Sequence, residues 1–213
     1  MKLVKGLILA ASVLASTSSM SLSAAQSQFV AGEHYQVTSV KGSEQPVVEE
    51  FFNYACGACY SIEAFMSDFK SKNPNIPVKL VPVELNPAWK IYVKAYYIGE
   101  KLAVLDQSHS KLFHRIHVEK RPLKGEEDMK AFFVSLGVTE KAYDDVAKSY
   151  WLNTQVRRAK QYAMKNRVMK TPTLLVNQRF KLDNAKIGTY PKVEQAIIEL
   201  SGVNQSGAGA GAQ

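Results

Sequence analysis

The chain contains two cysteines, Cys56 and Cys59, spaced as Cys56-Gly57-Ala58-Cys59. With no third cysteine, neither sulfur can belong to a separate structural bridge, and the chemistry to expect is a reversible bond between the two. The pair follows an apolar, β-rich run, Pro46-Val47-Val48-Glu49-Glu50-Phe51-Phe52-Asn53-Tyr54. It opens a segment in which Cys59, Ile62, Phe65, Met66 and Phe69 recur at helical spacing up to Asn73-Pro74. A buried strand thus delivers Cys56 to the start of a helix, with Cys59 in its first turn. The first amides of a helix lack intrahelical acceptors and sit at the positive end of its dipole. Such a setting lowers a thiol pKa from about 8.5 to about 3.5–7.5. Cys56 is therefore the expected reactive sulfur, and Cys59, on the apolar face with Ile62, the shielded one suited to resolve a mixed disulfide. A stabilised thiolate favours the reduced protein, which makes the disulfide an oxidant and a donor.

Three other uses of the pair compete with this one. Half of a zinc site is disfavoured, because there is no second cysteine pair and His109, His114 and His117 lie far along the chain. A static disulfide would close a very small ring for little gain in loop entropy. Two ordinary buried thiols fit poorly with export, which the N-terminus points to.

There, Lys2 and Lys5 precede an uncharged apolar stretch from Leu7 to Ala15 and a small-residue segment through Ala25. This is the pattern of a secretory signal over residues 1–25, with cleavage after Ala25 set by Ser23 and Ala25. The apolar stretch is too short to span a bilayer. The mature protein is expected to be soluble and exported, where disulfides persist. Its formal charge falls from +8 to +6 once Lys2 and Lys5 are removed. Basic residues stand among acids, as in Glu119-Lys120-Arg121 and Glu126-Glu127-Asp128-Met129-Lys130. The balance therefore reads as a solvated surface rather than a nucleic-acid site, with weak attraction to anionic lipid or acidic clients as the lesser reading.

The elements that position the cysteines alternate in character. A second strand, 78–85, contains Pro82, which marks an edge or a bulge. From 88 to 167 helical spacing dominates, broken at Gly137-Val138-Thr139, with Thr139 as the N-cap of the next helix. Thr173-Leu174-Leu175-Val176 and Arg179-Phe180-Lys181-Leu182 flank a turn at Asn177-Gln178 and form a hairpin. A final helix covers about 192–200, and a Gly/Ala-rich tail follows from 203 to 213. Glu50 stands in an otherwise apolar strand, where an unpaired carboxylate is costly. Its neighbour Glu49 has the opposite strand polarity and reads as a solvent-facing charge. Glu84 is a further candidate acid, with a surface role as its alternative. His114 and His117 share a helix face, which suits packing or surface roles better than a metal. Trp89, Trp151, Tyr92, Tyr96 and Tyr97 read either as a client groove or as filling between an insertion and its host.

The segment Glu50-Phe51-Phe52-Asn53-Tyr54-Ala55-Cys56-Gly57-Ala58-Cys59-Tyr60 resembles the active-site segment of the DsbA family. The likeness extends through Gly137-Val138, Tyr143-Asp144 and Thr171-Pro172-Thr173. It implies an α/β thioredoxin fold with an inserted all-helical domain: residues 26–87 and 168–202 as the thioredoxin-like parts, 88–167 as the insertion. It also implies a periplasmic, monomeric thiol:disulfide oxidoreductase with no cofactor beyond its own Cys56–Cys59 disulfide. Its substrates would be reduced exported polypeptides, and its reoxidant a DsbB-type quinone-linked inner-membrane protein. By the same likeness Pro172 is a cis-proline facing the disulfide and Thr171 offers backbone groups to a client. Read without it, Lys170-Thr171-Pro172-Thr173 serves equally as a trans turn opening a strand. Glu50 matches the acid beneath the buried cysteine that helps move its proton. Two departures stand out: Gly57 and Ala58 replace a proline-histidine spacer, and Pro82 stands where the best-known member has a lysine. Both point to a weaker oxidant. A disulfide isomerase or reductase of the same compartment is the rival within this chemistry, and a peptide-binding chaperone the rival outside it.

Overall fold

The computed structural model describes residues 27–202. The signal segment and the tail from 203 to 213 lie outside the described residues. A five-stranded mixed sheet has the order β1-β5-β4-β2-β3, formed by β1 (Tyr35–Val37), β2 (Val48–Phe52), β3 (Val78–Pro82), β4 (Thr173–Val176) and β5 (Phe180–Leu182). β2 runs parallel to β3 and antiparallel to β4. The β2–β3 crossover is α1 (Gly57–Lys72). Helices α2 (Lys90–Lys101), α3 (Leu105–His117), α4 (Glu126–Val134), α5 (Glu140–Ala147) and α6 (Tyr150–Lys165) all lie between β3 and β4. The short α7 (Asn184–Ile187) and α8 (Tyr190–Ser201) close the chain. This is a thioredoxin fold interrupted by a helical block.

Sequence chemistry explains the elements locally. Ile62, Met66 and Phe69 of α1 bury with Val48, Leu174 and Val176 of the sheet and Val193, Ala196 and Ile197 of α8. The helical block has its own core, where Phe52, Phe113, Phe133 and Met129 meet. Thr139 caps α5, its hydroxyl accepting from the Ala142 amide at 3.2 Å. In the hairpin turn Asn177 and Gln178 both take positive φ, and the Arg179 amide donates to the Val176 carbonyl at 3.0 Å. β3 is an edge strand and ends at Pro82, three residues earlier than its apolar run suggests; the Val83 amide still donates to the Phe52 carbonyl at 2.8 Å, so the missing N–H of Pro82 falls on the open side of the sheet. The strand β1 goes unread in the sequence because three residues are too few to show a period.

One expectation is overturned. Glu49 does not face solvent: it is fully buried, as is Glu50. β2 is central, so both its faces are covered, and alternation along it does not distinguish inside from outside. Glu49 looks toward α6 with Phe51, Leu175 and Ala163. There it accepts from the Tyr162 hydroxyl and from Gln178 Nε2 at 3.3 Å, with Lys79 Nζ at 3.6 Å. The aromatic residues of the insertion fill its core rather than a groove: Tyr92 and Tyr96 are buried, with Trp89 and Trp151 packed against the same cluster. Tyr162 stacks on Phe51, so Tyr162→Phe keeps the ring contact and removes only the donor to a buried carboxylate. That change is expected to cost about 1–3 kcal/mol, read as a lower urea midpoint with an unchanged slope. An unchanged midpoint would show that Glu49 is satisfied without it.

Candidate active site

Asn53 shapes the turn between β2 and α1. Its carbonyl accepts from the Cys56 amide at 3.0 Å, its Oδ1 from the Ala55 amide at 2.9 Å, and its Nδ2 donates to the Val83 carbonyl at 2.8 Å. Cys56 then leaves the turn in extended conformation as the N-cap of α1, and its Sγ accepts from the Cys59 amide at 3.1 Å. The sulfur does what a serine or aspartate oxygen does at other helix starts. Across from it the Thr171 carbonyl lies 3.5 Å from Cys56 Sγ, and the Thr171–Pro172 peptide is cis. Cys56 is 8% exposed and Cys59 fully buried, and both are free thiols in this structure. Gly57 and Ala58 face solvent, and a β-carbon on Gly57 would meet nothing within 4 Å.

The two sulfurs are pushed in opposite directions. The Cys56 thiol is lowered from 9.0 to about 6, first by a hydrogen bond from the Cys59 side chain. Thr171 and the backbone amides of Cys59 and Ala58 add to this, while burial opposes it. The Cys59 thiol is raised above the ordinary thiol range, first by sharing its proton with Cys56 and then by burial. Glu50 lies on the α1 face of β2, and neither of its oxygens has a hydrogen-bond partner among the described residues. Burial, then the charges of Glu63 and Cys56, raise its pKa to about 8, with Lys70 opposing. A cavity of about 520 Å³, lined by Glu63, Lys70, Leu80, Tyr96 and His109, reaches Glu50.

Sequence reasoning passes over Asn53 and Glu63. Asn53 is the polar residue ending an apolar strand, and Glu63 lies one turn beyond Cys59 on α1, so spacing alone could have raised both. His109 bridges the Tyr54 hydroxyl and Glu63, each at 3.0 Å, while His117 bonds the Tyr54 carbonyl at 2.7 Å and His114 pairs with Glu119. The three histidines do not converge, and no cluster of three or more metal-ligating side chains occurs among the described residues. Glu84 follows the end of β3 and pairs with Lys160 of α6 at 3.4 Å, so it is held apart as a structural ion pair.

The arrangement has known counterparts. A family profile, the DSBA-like thioredoxin domain, matches residues 47–192. The chain is 31% identical over 201 residues to the thiol:disulfide interchange protein DsbA of Bordetella parapertussis, covering 90% of this chain and 95% of that one. It superposes on a crystal structure of Pseudomonas aeruginosa DsbA with a TM-score of 0.75 at 24% identity, covering 84% of this chain and 96% of that one. Proteus mirabilis DsbA, solved with a non-covalently bound peptide, aligns with a TM-score of 0.68 at 21% identity, covering 82% of this chain and 99% of that one.

Two titrations check the electrostatics. In the reduced protein, thiolate absorbance near 240 nm should rise with a midpoint at about pH 6 and vanish in Cys56→Ser; a midpoint near 9 would contradict the geometry. A depressed thiol pKa stabilises the reduced fold, fully so above the unfolded value of 9.0, and that contribution is lost as pH falls through about 6. Glu50 has the opposite sign, because its folded pKa is raised. The unfolded chain ionises near 4.5 while the fold keeps the proton, so a penalty accumulates from pH 4.5 to about 8. Glu50→Gln should therefore gain about 3 kcal/mol on the wild type between pH 4 and pH 7, measured by urea unfolding at each pH. Parallel pH profiles would exclude a raised Glu50.

Proposed function

The chain belongs to the DSBA-like thioredoxin family, whose members are thiol:disulfide oxidoreductases, and on that footing we propose that it donates its Cys56–Cys59 disulfide to reduced polypeptides exported to the periplasm. The observation that carries this reading is the Cys56 sulfur on the first amides of α1, opposite the Thr171 carbonyl. A client thiolate attacks Cys56 Sγ, the Cys56–Cys59 bond breaks, and the electron pair leaves with Cys59. Cys59 binds protons tightly and takes one, with Glu50 as the nearby acid able to hold and pass it at neutral pH. A second client thiolate then attacks the client sulfur of the mixed disulfide and expels Cys56 as a thiolate. Its low proton affinity makes it a good leaving group. Two electrons pass from client to protein. Of the two client protons, one ends on Cys59 and the other in solvent above about pH 6.

Thr171 and Pro172 border the attacked sulfur and would hold an extended client main chain. The bound peptide of the Proteus mirabilis relative supports a peptide-shaped substrate. The reaction needs no cofactor beyond the disulfide, since the sulfurs carry both electrons. The signal-like first 25 residues support a periplasmic location, and the reduced monomer would be reoxidised by a DsbB-type membrane partner.

Gly57 and Ala58 are the tuning positions. Neither side chain can donate to the thiolate, which leaves the amides, Cys59 and Thr171 to hold it. The potential should therefore lie between those of thioredoxin, about −270 mV, and of the strongest oxidant of the superfamily, about −120 mV. Equilibration with glutathione measures it, and a value as low as thioredoxin's removes the donor role. Cys56→Ser should abolish disulfide formation in a reduced client, and so should Cys59→Ala, which has no disulfide to donate; given a client that carries a disulfide, Cys59→Ala should instead be trapped as a mixed disulfide at Cys56, the other client sulfur leaving as thiolate. Surviving client oxidation in Cys56→Ser would leave a peptide-binding role instead.

A further inference from the structure

Between Val146 and Leu182 the chain has nine Lys or Arg residues and no Asp or Glu. The dispersed charge read elsewhere in the sequence therefore does not hold over this stretch, which comprises α6, the Thr171–Pro172 loop and the β4–β5 hairpin. Three of the nine cations have a carboxylate within 4 Å: Lys148 with Asp144, Lys160 with Glu84, and Lys170 with Asp183 at 3.6 Å. The other six have none among the described residues.

Part of this basic surface is concave. A groove of about 500 Å³ lies beside the Pro172 loop, lined by Arg167, Met169, Lys170, Thr173 and Lys181, together with Gln36 and with Asp183, the partner of Lys170. Lys181 Nζ donates to the Arg167 carbonyl at 3.1 Å, which fixes its charge at the groove wall. Met169 is 84% exposed, and Met164, the next-to-last residue of α6, is 69% exposed. Solvent-facing methionines amid cations of which Lys165, Arg167 and Lys181 have no carboxylate partner among the described residues make a surface that is both adaptable and positive.

We infer that this groove selects clients carrying acidic residues next to the cysteine that is oxidised. The inference rests on the donor function proposed above and specifies its substrate. A client held extended against Thr171 advances about 3.3 Å per residue, so side chains within a few residues of its cysteine pass over Lys170 and Met169. Opposite charge there speeds encounter and holds register, and like charge slows it. A concave site continuous with the peptide-holding loop suits a polypeptide segment better than a flat lipid surface.

The test uses the oxidised full-length mature protein and three dithiol peptides of equal length, whose residues beside the cysteine are acidic, neutral or basic. Stopped-flow oxidation at an ionic strength of about 20 mM, where screening acts over about 20 Å, should favour the acidic peptide about tenfold over the neutral one and disfavour the basic one. In about 0.5 M salt the three rates should converge. The triple variant Lys165→Gln, Arg167→Gln, Lys170→Gln should remove the preference while oxidising the neutral peptide within about twofold of the wild-type rate. Equal rates for all three peptides in the wild type, or a preference unmoved by salt and by the triple variant, would falsify the inference and leave the donor function standing. Failure to oxidise any peptide would remove the donor function itself, and this inference with it. Co-sedimentation with phosphatidylglycerol vesicles, without discrimination among peptides, would assign the basic surface to a membrane and overturn it as well.

Discussion

A helix begins with amides that nothing inside it can accept, and here the Cys56 sulfur accepts one of them at 3.1 Å. The rest of the site depends on that contact being held in place. β2 is buried at every position, so its end is fixed, and Asn53 converts that end into a defined turn through four hydrogen bonds of its own. α1 is pinned to the sheet by Ile62, Met66 and Phe69, which keeps its first amides aimed at the sulfur. The polarity of the pair follows: one sulfur stands at the rim against Thr171, the other one turn in and sealed from water.

Two adjacent carboxylates show how a central strand separates structure from chemistry. Glu49 and Glu50 are consecutive, equally buried and on opposite faces. Glu49 is satisfied by Tyr162 and Gln178 and ties the sheet to α6. Glu50 has no partner among the described residues and shares its face with α1 and a cavity. A satisfied buried acid strengthens a fold, whereas an unsatisfied one costs stability and keeps its proton to hand. Residue type and burial are the same in both, so the difference lies in the donors each face presents: Tyr162, Gln178 and Lys79 for Glu49, and none for Glu50 among the described residues.

Much of this was legible in the sequence where the cause is local. The cysteine spacing, the helical repeat of α1, the Thr139 cap and the Asn177-Gln178 turn each act within a few residues, and the fold places them so. What escaped depends on distant neighbours. Glu49 reads as exposed because alternation implies one wet face, and only the strand order shows that β2 has none. His109 reads as a packing or surface histidine, and only the fold shows Tyr54 and Glu63 at its two nitrogens. The acid-free stretch from 146 to 182 was countable, yet short windows elsewhere in the chain, where acids and bases mix, hid it.

The open space around Gly57 has a consequence for how such a protein can change. Both spacer residues face solvent, and a β-carbon at Gly57 would meet nothing within 4 Å. Under the donor role proposed above, substitutions there would change the sulfur's electrostatics without touching the core, so oxidising strength and fold integrity would vary as separate traits. A lineage could move along the redox scale one residue at a time at this position, with no compensating change anywhere else in the molecule.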